Sequence, residues 1–589
     1  MSNPLALYNQ QKTDLEKQSL VLKKQLFQLG ILRFLVFLIS SYLVYLTFDN
    51  YFSVFTIALI GVLLFSFLIV RFISLKNKKA IVDAKIKINT TEINVLNGNF
   101  HQLETGNEFV NPTHFYSNDI DLFGKGSFFQ YLNRTATIDG KLFLAEKLTE
   151  NSINDILQKQ DAIQELSSKV KWRQHFTALA SLVQVKESST FIKNWILNYN
   201  TAFPSFLNTL QVVFSICSVV VIGLFSFGII PFSILLIWFF LGLAITGKFL
   251  KKTNKLYSDT TILGDTFKQY HLLLNEIEKE NFKSKHLKNH QKIIQSEDKK
   301  ASLIFKEFSK IVDAFDNRNN IIIAVFGNAF FLWDILNACK TEKWISKYKQ
   351  TVQKWFEVVA YFDAQNSFAN FNFNHAEFVF PEITTDKETL KAKDLGHPLL
   401  KVDKRVDNDF VIDDAQFFII TGANMAGKST FLRTVSLAIV MANCGLPVCA
   451  ERFQYHPIKL ITSMRTSDSL TEDESYFYSE LKRLKFIVDA IKTEKYFIIL
   501  DEILKGTNSK DKAIGSKQFI EKLTKSKSTG IIATHDVSLC ELENEFSTIK
   551  NYYFEAEINN NELYFDYKLK AGICKNMNAS FLLKKMDIV

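Results

Sequence analysis

Four stretches of the chain are almost entirely apolar, and they fall into two pairs. Residues 34–48 and 50–70 contain no charged residue, and only Asp49 separates them. No charge occurs from 194 to 247, where residues 206–227 and 230–247 are the most apolar. A membrane-spanning helix needs roughly 17 to 25 apolar residues, which the first and last segments fit only just. None shows a one-sided apolar stripe, so the pattern predicts two membrane hairpins, with hairpins buried in a large soluble core as the alternative.

Basic residues flank both predicted hairpins on the side away from their turns. They are Lys23, Lys24 and Arg33 before the first hairpin, Arg71, Lys76, Lys78, Lys79, Lys85 and Lys87 after it, and Lys248, Lys251, Lys252 and Lys255 after the second. Positive charge close to helix ends marks the cytoplasmic side of a membrane. We therefore expect a multi-pass protein of the inner (cytoplasmic) membrane, whose hairpins enter from the cytoplasm and return to it.

A fifth uncharged segment, residues 321–333, precedes Asp334. It is too short to span a bilayer unaided, and an odd number of crossings would place the rest of the chain outside the cell. We expect it to be a buried core helix.

A phosphate-binding motif lies in the C-terminal third. Residues 417–434 combine a short apolar strand, the pattern Gly422-x-x-x-x-Gly427-Lys428-Ser429 and the start of a helix, which together are typical of a P-loop. The predicted ATP-binding residues are Gly422, Ala423, Asn424, Met425, Ala426, Gly427, Lys428, Ser429 and Thr430. We expect Lys428 to reach the β- and γ-phosphates and the Ser429 hydroxyl to bind Mg²⁺.

Two further strands end in candidate catalytic residues. Residues 496–500 are apolar and lead into Asp501 and Glu502, the arrangement of a Walker B strand. It predicts Asp501 beside the Mg²⁺ and Glu502 as the general base that accepts a proton from the attacking water. Residues 530–534 lead into His535, for which we predict contact with the γ-phosphate, a purely structural histidine being the alternative.

Composition narrows the protein class. The chain has 589 residues, is 47% hydrophobic and contains only 8 Pro, which excludes a disordered or collagen-like protein. Six cysteines without a CxxC pair argue against both a zinc site and a disulfide framework. The net charge of +9 suits either nucleic acid or an anionic membrane surface.

At these motifs the sequence resembles the MutS family of DNA mismatch-repair ATPases. The similar segments are the P-loop TGANMAGKST, residues 501–508, residues 396–398, residues 406–409, residues 444–450 and residues 567–569. The resemblance implies an ABC-like α/β ATPase domain and places Val406 near the adenine. Residues 467–470 and 475–480 resemble the family's signature loop, which implies a homodimer in which Ser475 reaches the γ-phosphate bound by the partner.

The apolar segments and the resemblance together divide the chain into six predicted regions. They are a cytoplasmic helix (1–29), a membrane hairpin (30–74), the first part of an all-helical core (75–205), a second membrane hairpin (206–250), the second part of the core or lever (251–375) and the ATPase domain (376–589).

The expected function is that of a membrane-anchored, dimeric ATPase of the MutS family. Duplex DNA is the partner that the resemblance implies. However, membrane segments occupy residues 1–100, where the family has its mismatch-reading domain, so a membrane ATPase or nucleotide-gated scaffold that does not act on DNA stays open. A transporter-like role is less favoured, because the apolar segments contain no charge pair that would mark a substrate path.

The predicted topology can be tested by cysteine labelling. In a variant without the native cysteines, Asn50→Cys should react with a membrane-impermeant maleimide added outside the cell, whereas Lys78→Cys should not. Equal protection of both positions would favour the buried-hairpin alternative.

Overall fold

A computed structural model describes residues 3–183, 185, 189–295, 299–385, 387–465, 476–505, 507–559 and 562–574. Most of these residues are helical. The helices are α1 (Pro4–Leu46), α2 (Tyr51–Leu96), α3 (Phe128–Leu132), α4 (Ile138–Thr149), α5 (Ile156–Ser168), α6 (Val170–Ser181), α7 (Ser189–Asn198), α8 (Phe206–Ser226), α9 (Phe232–Lys279), α10 (Lys285–Ile294), α11 (Ala301–Asp316), α12 (Asn328–Phe331), α13 (Trp333–Tyr348), α14 (Val352–Asn374), α15 (Lys428–Asn443), α16 (Tyr476–Ala490), α17 (Ser509–Lys525) and α18 (Leu542–Glu545).

The strands begin after α14. They are β1 (Glu382–Ile383), β2 (Glu388–Leu395), β3 (Asn408–Asp413), β4 (Phe417–Gly422), β5 (Arg452–Tyr455), β6 (Lys459–Ser463), β7 (Tyr496–Asp501), β8 (Thr529–Ala533), β9 (Ile549–Phe554), β10 (Ala556–Asn559), β11 (Glu562–Phe565) and β12 (Lys570–Ala571). The largest sheet has the order β12-β9-β4-β8-β7-β6 and is parallel except for β12. A four-stranded sheet has the order β1-β5-β2-β3. The predicted combination of a C-terminal α/β region with a helical remainder is confirmed at this level.

Four of the described helices, α1, α2, α8 and α9, are long and apolar enough to cross a membrane. They form two antiparallel hairpins, α1 with α2 and α8 with α9. In α1 and α2 the rows of large apolar side chains are exposed, including Phe37 at 59% and Phe67 at 68%. At 1.5 Å per residue, α1 and α2 are each roughly 65–70 Å long, more than twice the thickness of a hydrocarbon core. Each hairpin therefore has an apolar tip and a base that packs on the protein.

The base of the first hairpin joins the core through a buried polar network. The hydroxyl of Tyr8 in α1 donates to Asn374 Oδ1 at 2.9 Å, and Asn374 Nδ2 donates to Glu92 Oε2 at 2.8 Å. Arg134 Nε donates to the other oxygen of Glu92 at 2.5 Å. Leaving a buried polar group without a hydrogen-bond partner costs free energy, so these bonds favour one position of the hairpin base on α14.

The second hairpin merges with the helical core. The base of α9 packs against α11, α13 and α14 through a cluster of aromatic rings that includes Phe267, Phe308, Trp344 and Phe356. Higher in the hairpin, Phe214 of α8 stacks on Trp238 of α9 with centroids 4.7 Å apart. Helices α1, α2 and α9 run without a break through the domain bounds predicted at residues 29, 74 and 250.

The prediction of a buried core helix at residues 321–333 holds only for the C-terminal end of the segment, where Asn328, Ala329 and Leu332 are buried. A π-helical turn, Ile323–Gly327, precedes the short helix α12, and Leu332 with φ +48° separates α12 from α13. Ile321 is 77% exposed and Phe326 is 54% exposed. The apolar composition of this segment therefore reflects burial only in part, since its N-terminal half leaves large apolar side chains exposed.

Candidate nucleotide-binding site

The predicted P-loop connects strand β4 to helix α15, and both of its motif glycines are required by the backbone. Gly422 has φ +148° and Gly427 has φ +104°, values that side chains rarely allow. A Cβ at Gly422 would lie 2.6 Å from the carbonyl oxygen of Phe554, and one at Gly427 would lie 3.0 Å from the Tyr567 ring. The loop therefore turns tightly and presents the N-terminus of α15, which begins at Lys428, as a site for an anion.

Lys428 lies inside this loop. Its Nζ donates to the carbonyl oxygens of Gly422 at 2.7 Å and Ala423 at 3.0 Å, and only 6% of the residue is exposed. Burial lowers the pKa of Lys428, and the carboxylates of Asp501 and Glu502 oppose that shift. A phosphate group at the α15 N-terminus would supply this buried cation with anionic acceptors in place of carbonyl oxygens.

Ser429 and Asp501 come together although 71 residues separate them in sequence. The Ser429 hydroxyl donates to Asp501 Oδ2 at 2.7 Å. Strand β8 pairs with both β4 and β7 in parallel, so the P-loop and the end of β7 emerge at the same edge of the sheet. A hydroxyl and a carboxylate are hard oxygen donors of the kind that Mg²⁺ prefers, with phosphate oxygens and water to complete its shell. These two residues fit the predicted Mg²⁺ ligands.

Glu502 and His535 form a pair beside this edge. Glu502 Oε1 lies 2.7 Å from His535 Nε2, and Lys505 Nζ lies 3.6 Å from the other carboxylate oxygen. The hydrogen bond from His535, with Lys505 nearby, lowers the pKa of Glu502 to about 2. Glu502 also has φ +52°, a strained value that its backbone hydrogen bond to Ala533 helps to hold. At neutral pH Glu502 is therefore an ionised, oriented carboxylate able to accept a hydrogen bond from water.

A single cavity of about 550 Å³ brings the predicted residues together. Its lining includes the P-loop residues Ala423, Asn424, Met425, Gly427, Lys428, Ser429 and Thr430, the strand-end residues Asp501, Glu502 and His535, and Val406. Gly422 and Ala426 belong to the loop but do not line the cavity, and Ala426 is fully buried. Ser475 lies outside the described residues. The volume falls within the range of small-molecule sites.

Sequence reasoning assigned no role to Tyr567, which lies over the P-loop. Asn408 holds this segment in place, since its Nδ2 donates to the Tyr567 carbonyl at 3.1 Å and its Oδ1 accepts from the Leu569 amide at 2.8 Å. His397 belongs to the segment 396–398 that resembles the family; burial lowers its pKa to about 4, so it lines the cavity as a neutral ring. For Tyr567 the resemblance in residues 567–569 was the available signal, because the contact with Asn408 spans more than 150 residues.

The comparisons with known proteins agree with this geometry. Residues 418–584 match MutS domain V. The human MutS protein homolog 4 is 30% identical over 251 residues, which cover 41% of this chain and 26% of that protein. The DNA mismatch repair protein MutS of Staphylococcus carnosus is 31% identical over 286 residues, covering 47% of this chain and 32% of the relative. The MutS protein of Thermotoga sp. is 30% identical over 236 residues, covering 39% and 29%. The chain thus spans about a quarter to a third of the length of these relatives.

We expect the Tyr567 ring to contact the bound nucleotide. Tyr567→Ala should weaken ATP binding about two- to tenfold, the scale of one aromatic contact of about 0.5–1.5 kcal/mol. Titration with a fluorescent ATP analogue measures this. Tyr567→Phe keeps the ring and should bind normally. Because Tyr567 is 42% exposed, the alanine variant should fold, and unchanged affinity would show that the ring does not touch the nucleotide.

Proposed function

Through its C-terminal region this chain belongs to the MutS family, and from this we propose that it is a membrane-anchored ATP hydrolase that acts in a homodimer on DNA. The observation that carries the ATPase part is the convergence of Lys428, the Ser429–Asp501 contact and the Glu502–His535 pair on one cavity.

The geometry supports a division of labour in hydrolysis. Lys428 and the P-loop amides would bind the phosphates, and Ser429 and Asp501 would hold the metal ion. Mg²⁺, when bound, would neutralise charge on the β- and γ-phosphates. Glu502 orients a water molecule toward the γ-phosphorus and accepts its proton as the bond to the leaving ADP oxygen breaks. His535 acts through Glu502, because its 2.7 Å contact with Oε1 fixes the orientation of the carboxylate.

Exposure of the hairpins supports the membrane anchor. The apolar windows of the four long helices have between 0% and 17% of their residues buried. Apolar surface of this extent is unfavourable in water, whereas a bilayer would cover it. The basic flanks support an orientation in which the hairpin bases, and the ATPase site with them, lie on the cytoplasmic side of the inner membrane.

The homodimer rests on the resemblance in residues 475–480, which would place Ser475 against the partner's γ-phosphate. A donor aimed at the charge that develops on the γ-phosphate would act in the transition state.

DNA as the partner rests on the relatives, whose names describe DNA mismatch repair proteins.

A second candidate is a nucleotide-gated membrane scaffold, and a wall shared by two cavities favours it. Residues 95–98, at the cytoplasmic end of α2, line a cavity of about 700 Å³ that shares His397, Leu400, Arg405 and Thr430 with the nucleotide cavity. If a bound nucleotide displaced these shared residues, the displacement would reach the end of α2, a proposed membrane helix.

Glu502→Gln tests the assigned base. The variant should bind Mg·ATP but lose turnover by about a hundredfold or more, because a neutral amide cannot accept the proton. Phosphate release and nucleotide titration give the two readouts. Glu494→Gln is the matched control at the opposite end of β7 and should hydrolyse normally, while Lys428→Ala should lose nucleotide binding. Hydrolysis at the normal rate by Glu502→Gln would remove Glu502 from the mechanism.

Salt-dependent binding to a short DNA duplex separates the two candidates. The full chain in lipid nanodiscs should bind the duplex, and its affinity should fall steeply between about 50 and 200 mM salt if it contacts phosphates. Empty nanodiscs are the control. Absence of binding at the lower salt concentration, in a preparation that hydrolyses ATP, would contradict the DNA role and favour the scaffold.

A further inference from the structure

We infer that residues 321–331 enter the bilayer as a short re-entrant wedge alongside the second hairpin, so that their exposed apolar side chains face lipid chains. The inference rests on the proposed membrane anchor and adds a fifth membrane-contacting element to it. It concerns the segment whose predicted burial holds only in part.

The contacts of the wedge set its depth. Phe239 of α9 meets Phe326 with ring centroids 5.9 Å apart and Phe330 at 5.8 Å. Gly242 lies so close to Ala329 that an added Cβ would overlap the Ala329 carbonyl. Phe239 and Gly242 belong to the apolar part of α9, and Lys248 is the first charge after it. At 1.5 Å per residue, Phe239 lies roughly 13 Å from the level of Lys248, close to the half-thickness of a hydrocarbon core.

The outer face of the wedge is apolar and exposed. Ile321, Ile322, Phe326 and Phe331 are exposed by 77%, 62%, 54% and 39%. On α9 the ring of Phe239, which contacts the wedge, also meets the ring of Phe240 with centroids 5.4 Å apart, and Phe240 is 61% exposed. Where the second hairpin passes through the bilayer, lipid chains would cover both the outer face of the wedge and the exposed side chains of α9.

Two polar groups of the interrupted backbone have partners within the protein, of the kind that irregular backbone at membrane depth requires. Asn328 Oδ1 accepts from the Asp334 amide at 2.9 Å. Gln211 Nε2 and Ser215 Oγ of α8 lie 3.4 and 3.5 Å from the Phe331 carbonyl oxygen. These contacts explain why the apolar helix α8 carries a glutamine and a serine on this face.

Charged groups mark where the wedge leaves the cytoplasmic side. Arg318 Nη2 pairs with Asp334 Oδ2 at 2.8 Å and with Asn254 of α9 at 2.7 Å. Asn254 lies six residues beyond Lys248, outside the apolar part of α9. The segment therefore enters and leaves on the same side, which preserves the even number of crossings.

Photo-crosslinking of the full chain in phosphatidylcholine nanodiscs tests the wedge. A benzophenone amino acid replaces Phe326, Phe240 in α9 or Tyr564 in β11, three aromatic positions with similar exposure of 54%, 61% and 57%. We expect lipid adducts at position 326 within about twofold of the yield at position 240, because both would face acyl chains, and none at position 564. Mass spectrometry identifies the adducts, and ATP hydrolysis shows that each variant has folded.

The outcomes separate the wedge from the anchor. Lipid adducts at position 240 with only protein adducts, or none, at position 326 would overturn the wedge and leave the anchor standing. Absence of lipid adducts at both positions would overturn the anchor and the wedge together. Should the Phe326 variant fail to fold, Ile322 provides a second position, for which the same adducts are expected and the same absence is decisive.

Discussion

The continuity of two helices, α2 and α9, determines how the rest of the molecule is arranged. An α-helix satisfies its own backbone hydrogen bonds, so it can pass from an apolar environment into a protein core without a break. Helix α9 does so by exposing Phe240 near one end and burying Phe267 and Tyr270 near the other. Helix α2 does so by exposing Phe67 and burying Val95. The hairpins and the soluble core are thus parts of the same helices rather than separate units joined by linkers.

This continuity brings the first hairpin close to the nucleotide cavity. Glu92, near the end of α2, accepts hydrogen bonds from Asn370 and Asn374 of α14, the helix that leads into the α/β region. A few residues further on, a Cβ at Gly98 would lie 3.3 Å from the Lys401 side chain. Residues 95–98, at the end of α2, line the cavity of about 700 Å³ that shares His397 and Arg405 with the nucleotide cavity, so one helix runs from the apolar tip to that neighbouring cavity.

The nucleotide site depends on a different constraint, the order of strands in the parallel sheet. Strands β4, β8 and β7 are neighbours, so the residues that follow them meet at one edge. That arrangement places the P-loop, His535 and the Asp501–Glu502 pair around one cavity. Burial of β4 along its whole length holds this edge in position, which limits the energy lost in reorganising the site when phosphates bind.

The sequence by itself determined those features that depend on local pattern. The P-loop glycines, Lys428, Ser429, Asp501, Glu502 and His535 are recognisable because their chemistry requires fixed spacing next to a strand, and the four long apolar helices because length and hydropathy are local properties. Only the tertiary structure decided what depends on contacts between distant segments. It placed Tyr567 over Gly427 through Asn408, paired His535 with Glu502, and showed that residues 321–331 lie against α9 with their N-terminal half exposed. The physical reason is that the hydrophobic effect is non-directional. Apolar composition shows that a segment is more stable away from water, but it does not determine whether protein or another apolar medium surrounds it.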